Sequence, residues 1–290
     1  MKLITYAYEG KEYVGVLTKD EKCVCPIEFF SSMNEIIKKA RKADMDKISD
    51  LAKEESGAVE LDKVDKKAPI PCPMQDVLCL GINYTEHARE SENFDKEAFG
   101  GERPRAIYFS KRVNESPADG EDICGHFDIV ESLDYEAELG VIIGKDAKNV
   151  PLNEVRDYIF GYTVINDVSA RNIQTSHKQW YFGKSLDGFT PMGPCILTAD
   201  EISYPPVLKI TARVNGELRQ SSTTDLLITD IDHIVHELSQ GMTLKAGTII
   251  ATGTPSGVGM GMNPPCFLKD GDVVECEIER IGKLTNRIVK

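Results

Sequence analysis

Short runs of apolar and β-branched residues recur along this chain, and glycine, proline or Asn-Gly closes most of them. Lys2–Tyr8 and residues 12–17 flank Glu9-Gly10 and predict a hairpin. Residues 207–214 alternate apolar and polar positions and run into Asn215-Gly216, the strongest hairpin signal in the sequence. Residues 133–144 read as one strand, and residues 162–167 as another that ends in Asp167. Lys269-Asp270-Gly271-Asp272 turns into the alternating strand Val273–Ile278, and Ile281-Gly282-Lys283 turns into a last one. Helical spacing is rarer. Ser32-Met33-Asn34-Glu35 fits a capping box, with Ile36, Ile37 and Ala40 following on one face. Further helices are expected over residues 44–55, after Asn83 as N-cap, and over residues 230–241, where Ile231, Ile234, Val235 and Leu238 form the stripe. Many short strands with few helices predict an α+β, β-rich chain of sandwich or barrel type.

Proline divides the pattern. Pro69, Pro71 and Pro73 can continue neither a helix nor a central strand. The boundary is placed there: residues 1–70 form a small N-terminal α/β domain and residues 71–290 the larger one. At 290 residues and 41% apolar content the chain can bury a large core. Acids outnumber bases 47 to 34, a formal charge of −13, which argues against a nucleic-acid partner and leaves room for a small anionic substrate. No run of about 18 apolar residues predicts a membrane span, and the first residues lack a signal peptide's apolar core. A cytoplasmic location is therefore expected. The eight scattered cysteines then read as reduced thiols, and Cys23-Val24-Cys25 as a strand with alternating faces.

Candidate chemistry lies in five places. Glu136 and Glu138, two apart on a strand, share a face. Two such carboxylates repel unless a cation neutralises them, and all-oxygen donors favour magnesium, calcium or manganese. Asp167 would complete the set from a neighbouring strand; the plain alternative is a solvated face. His87 and Glu90, three apart on a helix, make an acid–base pair or an incidental surface contact. Asp167, Arg171 and Gln174 share a face if the chain turns helical at Asp167, and otherwise mark a capped helix start. The Gly/Pro-rich residues 182–194 carry Lys184, which would stabilise an oxyanion if aimed into a dry site. Residues 251–259, Ala-Thr-Gly-Thr-Pro-Ser-Gly-Val-Gly, form a second glycine-rich loop whose N–H groups and Thr254 hydroxyl would hold a carboxylate. The loop lacks the ending of a P-loop.

Gly81-Ile82-Asn83-Tyr84 with His87, then Asp134-Tyr135-Glu136-Ala137-Glu138, Asn166-Asp167-Val168-Ser169-Ala170-Arg171, Gly183-Lys184-Ser185 and the 252–259 loop together resemble the fumarylacetoacetate hydrolase family. The likeness covers residues 73–290. It implies a mixed β-sandwich roll, a homodimer and a bound magnesium or manganese ion. It implies Glu136, Glu138 and Asp167 as metal ligands and His87 with Glu90 as the acid–base dyad on a lid helix. Lys184, Arg171 and Gln174 would steady an oxyanion or enolate, and Thr254 the substrate's carboxylate. The larger hydrolases of the family bring a fourth carboxylate seven residues before the histidine, where this chain has Leu80. The implied substrate is therefore a 2-oxo or 2-hydroxy-enol dicarboxylic acid other than fumarylacetoacetate. Acylpyruvate-type hydrolysis or isomerisation of 2-hydroxyhepta-2,4-diene-1,7-dioate, as in aromatic compound catabolism, comes first. Oxaloacetate decarboxylation or tautomerisation is the alternative, and a non-catalytic metal- or metabolite-binding module is the reading from a different class. Substrate choice is expected to lie in residues 93–105 and 175–182.

Overall fold

A computed structural model of the chain describes residues 1–101 and 105–290. Part of the first segment expected to choose the substrate, residues 102–104, thus lies outside the described residues. Among the described residues the strands form an eleven-stranded sheet, a five-stranded sheet and a two-stranded ribbon. The centre of the large sheet runs Met192–Thr198, Ile159–Asn166, Ala137–Ile143, Ile249–Ala251, Val77–Gly81, Ile107–Lys111. The two sheets pack face to face. Leu139, Val141, Tyr162 and Val164 from the large sheet share a core with Ile210, Ala212, Val274, Cys276, Ile278 and Leu284 from the small one. This is the expected β-rich α+β sandwich. Its centre is apolar on both faces, which is why every residue of Ala137–Ile143 is buried.

The N-terminal unit is small and joins the rest edge to edge. Its hairpin strand Lys2–Tyr8 pairs with Met192–Thr198, Leu3 opposite Ile196, so the large sheet runs through both units. The helices Met33–Lys39 and Lys42–Glu54 cover its outer face with Ile36, Ile37 and Ile48, each worth ~1.5–3 kcal/mol when fully buried. Ser32 caps the first helix as expected, accepting from Glu35 N. The cysteines are free thiols, and Cys23 and Cys25 lie on the short strand Cys23–Pro26 with only Cys25 buried.

Four local expectations are corrected. Residues 133–144 are not one strand: Leu133–Asp134 pairs with Ser169–Ala170, and the second strand starts at Ala137. Side chains replace the ladder between them. Asp134 accepts from Tyr135 N, Asn166 from Glu136 N, and Gln220 from Ala137 N. Asn83 is not the N-cap. Tyr84 is, and the helix is Thr85–Phe94; the Asn83 amide instead donates to the carbonyls of Thr229 and Thr252. Asp167 is not helical either. Its N–H donates to the Glu136 carbonyl at 2.8 Å, and the helix begins only at Arg171, spanning Arg171–Ser176. Lys184 ends a helical turn, Tyr181–Lys184, inside what read as loop.

Candidate active site

Strand register brings the three acids together. Ala137 pairs with Asn166 and Glu138 with Ile165, so the residue after Asn166 emerges beside Glu136. One oxygen from each of Glu136, Glu138 and Asp167 lies within 4.8 Å of the others, and all three residues are buried. Oxygens on opposite sides of a hard cation stand at most about 5 Å apart, at metal–oxygen distances of ~2.0–2.6 Å. Glu138 Oε1 is buried without a partner, an acceptor that water cannot reach. The all-oxygen donor set, its spacing and this orphaned atom fit magnesium or manganese.

The cluster also holds its own cations. Lys184 Nζ donates to Glu136 Oε2 at 2.9 Å and Asp167 Oδ2 at 2.7 Å. Arg171 bridges Glu136 Oε1 at 2.7 Å and Asp134 Oδ2 at 2.9 Å. Lys111, at the end of Ile107–Lys111, donates to Asp167 Oδ1 and, at 3.0 Å, to the Val168 carbonyl. Burial alone would raise the Glu136 carboxyl, but Lys184 and then Arg171 hold it well below the usual range. Glu138 has no such partner. Burial, then Asp167 and Glu136, push it well above the carboxylate range, against the nearby Lys184 ammonium and the N–H of Gly253.

The dyad forms. His87 Nδ1 lies 2.8 Å from Glu90 Oε1, and the histidine is 4% exposed, which removes the incidental surface reading. An ionised Glu90 accepts from Nδ1–H, and this leaves the lone pair on Nε2. A cavity that His87 lines has about 10 Å³ of free space, room for about one water. His87, Glu136, Arg171, Gln174, Lys184 and Thr254 line it. Leu80, standing where the larger hydrolases have a carboxylate, lines it too. Gln174 Oε1 accepts from Arg171 Nη1 at 3.0 Å, while Arg171 Nη2 is buried with no partner. Ahead of the helix Thr85–Phe94 stands a strained residue: Ile82 has φ 55, a left-handed conformation costly for a β-branched side chain.

The glycine-rich loop behaves differently from expectation. Its N–H groups hold carboxylates, but the chain's own. Gly253 N donates to Glu138, Gly257 N to Glu90, and Gly259 N and Met260 N to Asp134. The Thr254 hydroxyl donates to the Ala137 carbonyl at 2.8 Å and accepts from Gln220, so in this arrangement its hydrogen is not free for a ligand. Sequence reasoning missed Lys111 and Asp134. Asp134 was visible in the motif but looked like strand; Lys111 carried no local signal.

The sequence profile of the fumarylacetoacetate hydrolase C-terminal domain matches residues 76–289. An oxaloacetate tautomerase of Bacillus subtilis is 44% identical over 228 residues, 79% of this chain and 74% of that protein. A fumarylacetoacetate hydrolase from Exiguobacterium antarcticum superposes with TM-score 0.85 at 36% identity, over 100% of this chain and 99% of its own. A 2-hydroxyhepta-2,4-diene-1,7-dioate isomerase from Mycobacterium marinum superposes with TM-score 0.74 at 28% identity, over 100% and 98%. Among the described residues no helix is long and apolar enough to cross a membrane.

Proposed function

Since the chain belongs to the fumarylacetoacetate hydrolase family, we propose that it moves a proton between carbon and oxygen of a small 2-oxo dicarboxylic acid, tautomerising oxaloacetate or a close analogue. The observation that carries this reading is a buried His87, bonded to Glu90, lining the same cavity as Glu136 of the acid cluster. Glu136, Glu138 and Asp167 would hold magnesium or manganese. When bound, such an ion supplies Lewis-acid polarisation of the 2-oxo group. The remaining work falls to side chains. Glu90 fixes the ring and supports its charged form, so His87 Nε2 takes the proton next to the carbonyl and returns it to oxygen. Arg171 Nη2 is the free donor for the substrate's carboxylate. Gln174 keeps the guanidinium in place. Lys184, already bonded to two of the acids, puts positive charge where the enolate oxygen develops. The homodimer belongs to this proposal as well, and light scattering checks it.

A panel of oxaloacetate, acylpyruvates and hydroxymuconate-type diacids, assayed with and without magnesium, tests the reading. Metal-dependent conversion of enol to keto acid supports it. Release of two fragments from an acylpyruvate would indicate hydrolysis, and loss of carbon dioxide would indicate decarboxylation.

A further inference from the structure

We infer that Trp180 sets how long a diacid the site accepts, a refinement that rests on the reading above. Trp180 borders two spaces. One is the cavity of about 10 Å³ that Glu136, Arg171 and Lys184 also line. The other is a polar pocket of about 440 Å³ lined by Asp95, Glu97, Thr175, Ser176, His177 and Lys178. Gln174 and Trp180 line both spaces, so the residue that steadies Arg171 also borders the second pocket.

The wall is held from several sides. Phe99, from the short helix Lys96–Phe99, packs at 5.6 Å between ring centroids, and Phe109, from Ile107–Lys111, at 5.4 Å edge-on. Gly81 admits the ring, since a Cβ there would come within 2.2 Å of the indole Cζ3. The Trp180 carbonyl accepts the N–H of Lys184 at 3.2 Å. The wall is thus one helical turn from the ammonium that binds Glu136 and Asp167. Arg171 and Trp180 line the same cavity, so a diacid anchored at Arg171 runs toward the ring as its chain lengthens. Each further chain carbon is driven into the ring or must displace it. In the second pocket, Lys178 is the cation that would meet the distal carboxylate of a longer acid.

The test compares wild type, Trp180→Ala and Trp180→Phe. Steady-state kcat/KM is measured for oxaloacetate and for a longer acylpyruvate diacid with magnesium. Calorimetry follows binding of oxalate, which is short and cannot enolise. The long-to-short ratio is expected to rise on the order of 10-fold or more in Trp180→Ala, the scale of discrimination a hydrophobic wall provides. It should rise less in Trp180→Phe, with oxalate affinity unchanged in both. An unchanged ratio, or equal losses for both acids and oxalate, overturns the wall. A wild type that binds oxalate but converts neither acid overturns the functional reading beneath it, and the two failures are told apart.

Discussion

The backbone N–H of Gly257 donates to the Glu90 carboxylate, at 2.9 Å to Oε2 and 3.2 Å to Oε1. A glycine-rich loop that looks built for a ligand thus holds the acid that orients His87. Glycine is required at this position: φ is +103, and a Cβ would lie 2.0 Å from the Arg219 carbonyl oxygen. Gly257→Ala is expected to displace the loop and release Glu90. The backbone strain alone should cost ~1–3 kcal/mol, read as a lower urea midpoint. The pH profile of turnover should also shift, because the histidine loses its oriented partner. A variant with wild-type stability and an unmoved profile would show that the loop does not position the dyad.

Glu138→Gln separates metal binding from folding. In the chain alone, burial and two neighbouring acids disfavour the charged form of the Glu138 carboxyl. An amide of the same shape should therefore leave the Tm without metal nearly unchanged. Magnesium affinity should fall by more than the roughly 10–100-fold that loss of an outer partner costs. Calorimetric titration checks it; an unaltered isotherm counts against Glu138 as a ligand.

Lys111→Met leaves Asp167 buried with one cation fewer. Both side chains of that pair are 0% exposed. Removing one partner of such a pair typically costs ~3–5 kcal/mol, and equilibrium urea unfolding measures it. A loss below ~1 kcal/mol would mean that Lys184 alone suffices to balance Asp167.

Glu35 gives a pH dependence remote from the site. Lys39 first, then the side chain and backbone of Ser31, hold its carboxyl down to about 2. A lowered value in the folded chain means stability that is present above the ordinary 4.5 and lost as pH falls through about 2. Glu35→Gln should show a small Tm deficit at neutral pH that closes in acid. A deficit equal at both pH values would rule out the charged capping interaction.

These residues also show what the sequence could reveal. The Glu136–Glu138 spacing and the run ending in Asp167 offered the acid cluster as one of two readings, and local pattern alone left a solvated face open; Glu136 stands before the strand that begins at Ala137. His87 and Glu90 were legible in the same way on a helix. Lys111 was not. Its partner Asp167 is 56 residues away, and nothing near it in sequence marks a lysine that will be fully buried. The loop was misread in direction rather than in kind. Its N–H groups bind carboxylates, but Gly259 reaches Asp134 across 125 residues, a pairing that only the folded sheet creates. Neither reading of Asp167, helical or N-cap, holds: its N–H bonds to the Glu136 carbonyl and the helix starts at Arg171 behind Ala170.

The most direct measurement is the rate at which the enol form of oxaloacetate converts to the keto form, followed by ultraviolet absorbance, for wild type and His87→Gln with magnesium and for wild type with a chelator. The account predicts acceleration by the magnesium-loaded wild type and its loss in chelator. In His87→Gln the rate should fall by about 10²–10⁴-fold while magnesium still binds. Equal rates for wild type and His87→Gln, or acceleration that survives complete removal of the metal, would contradict it.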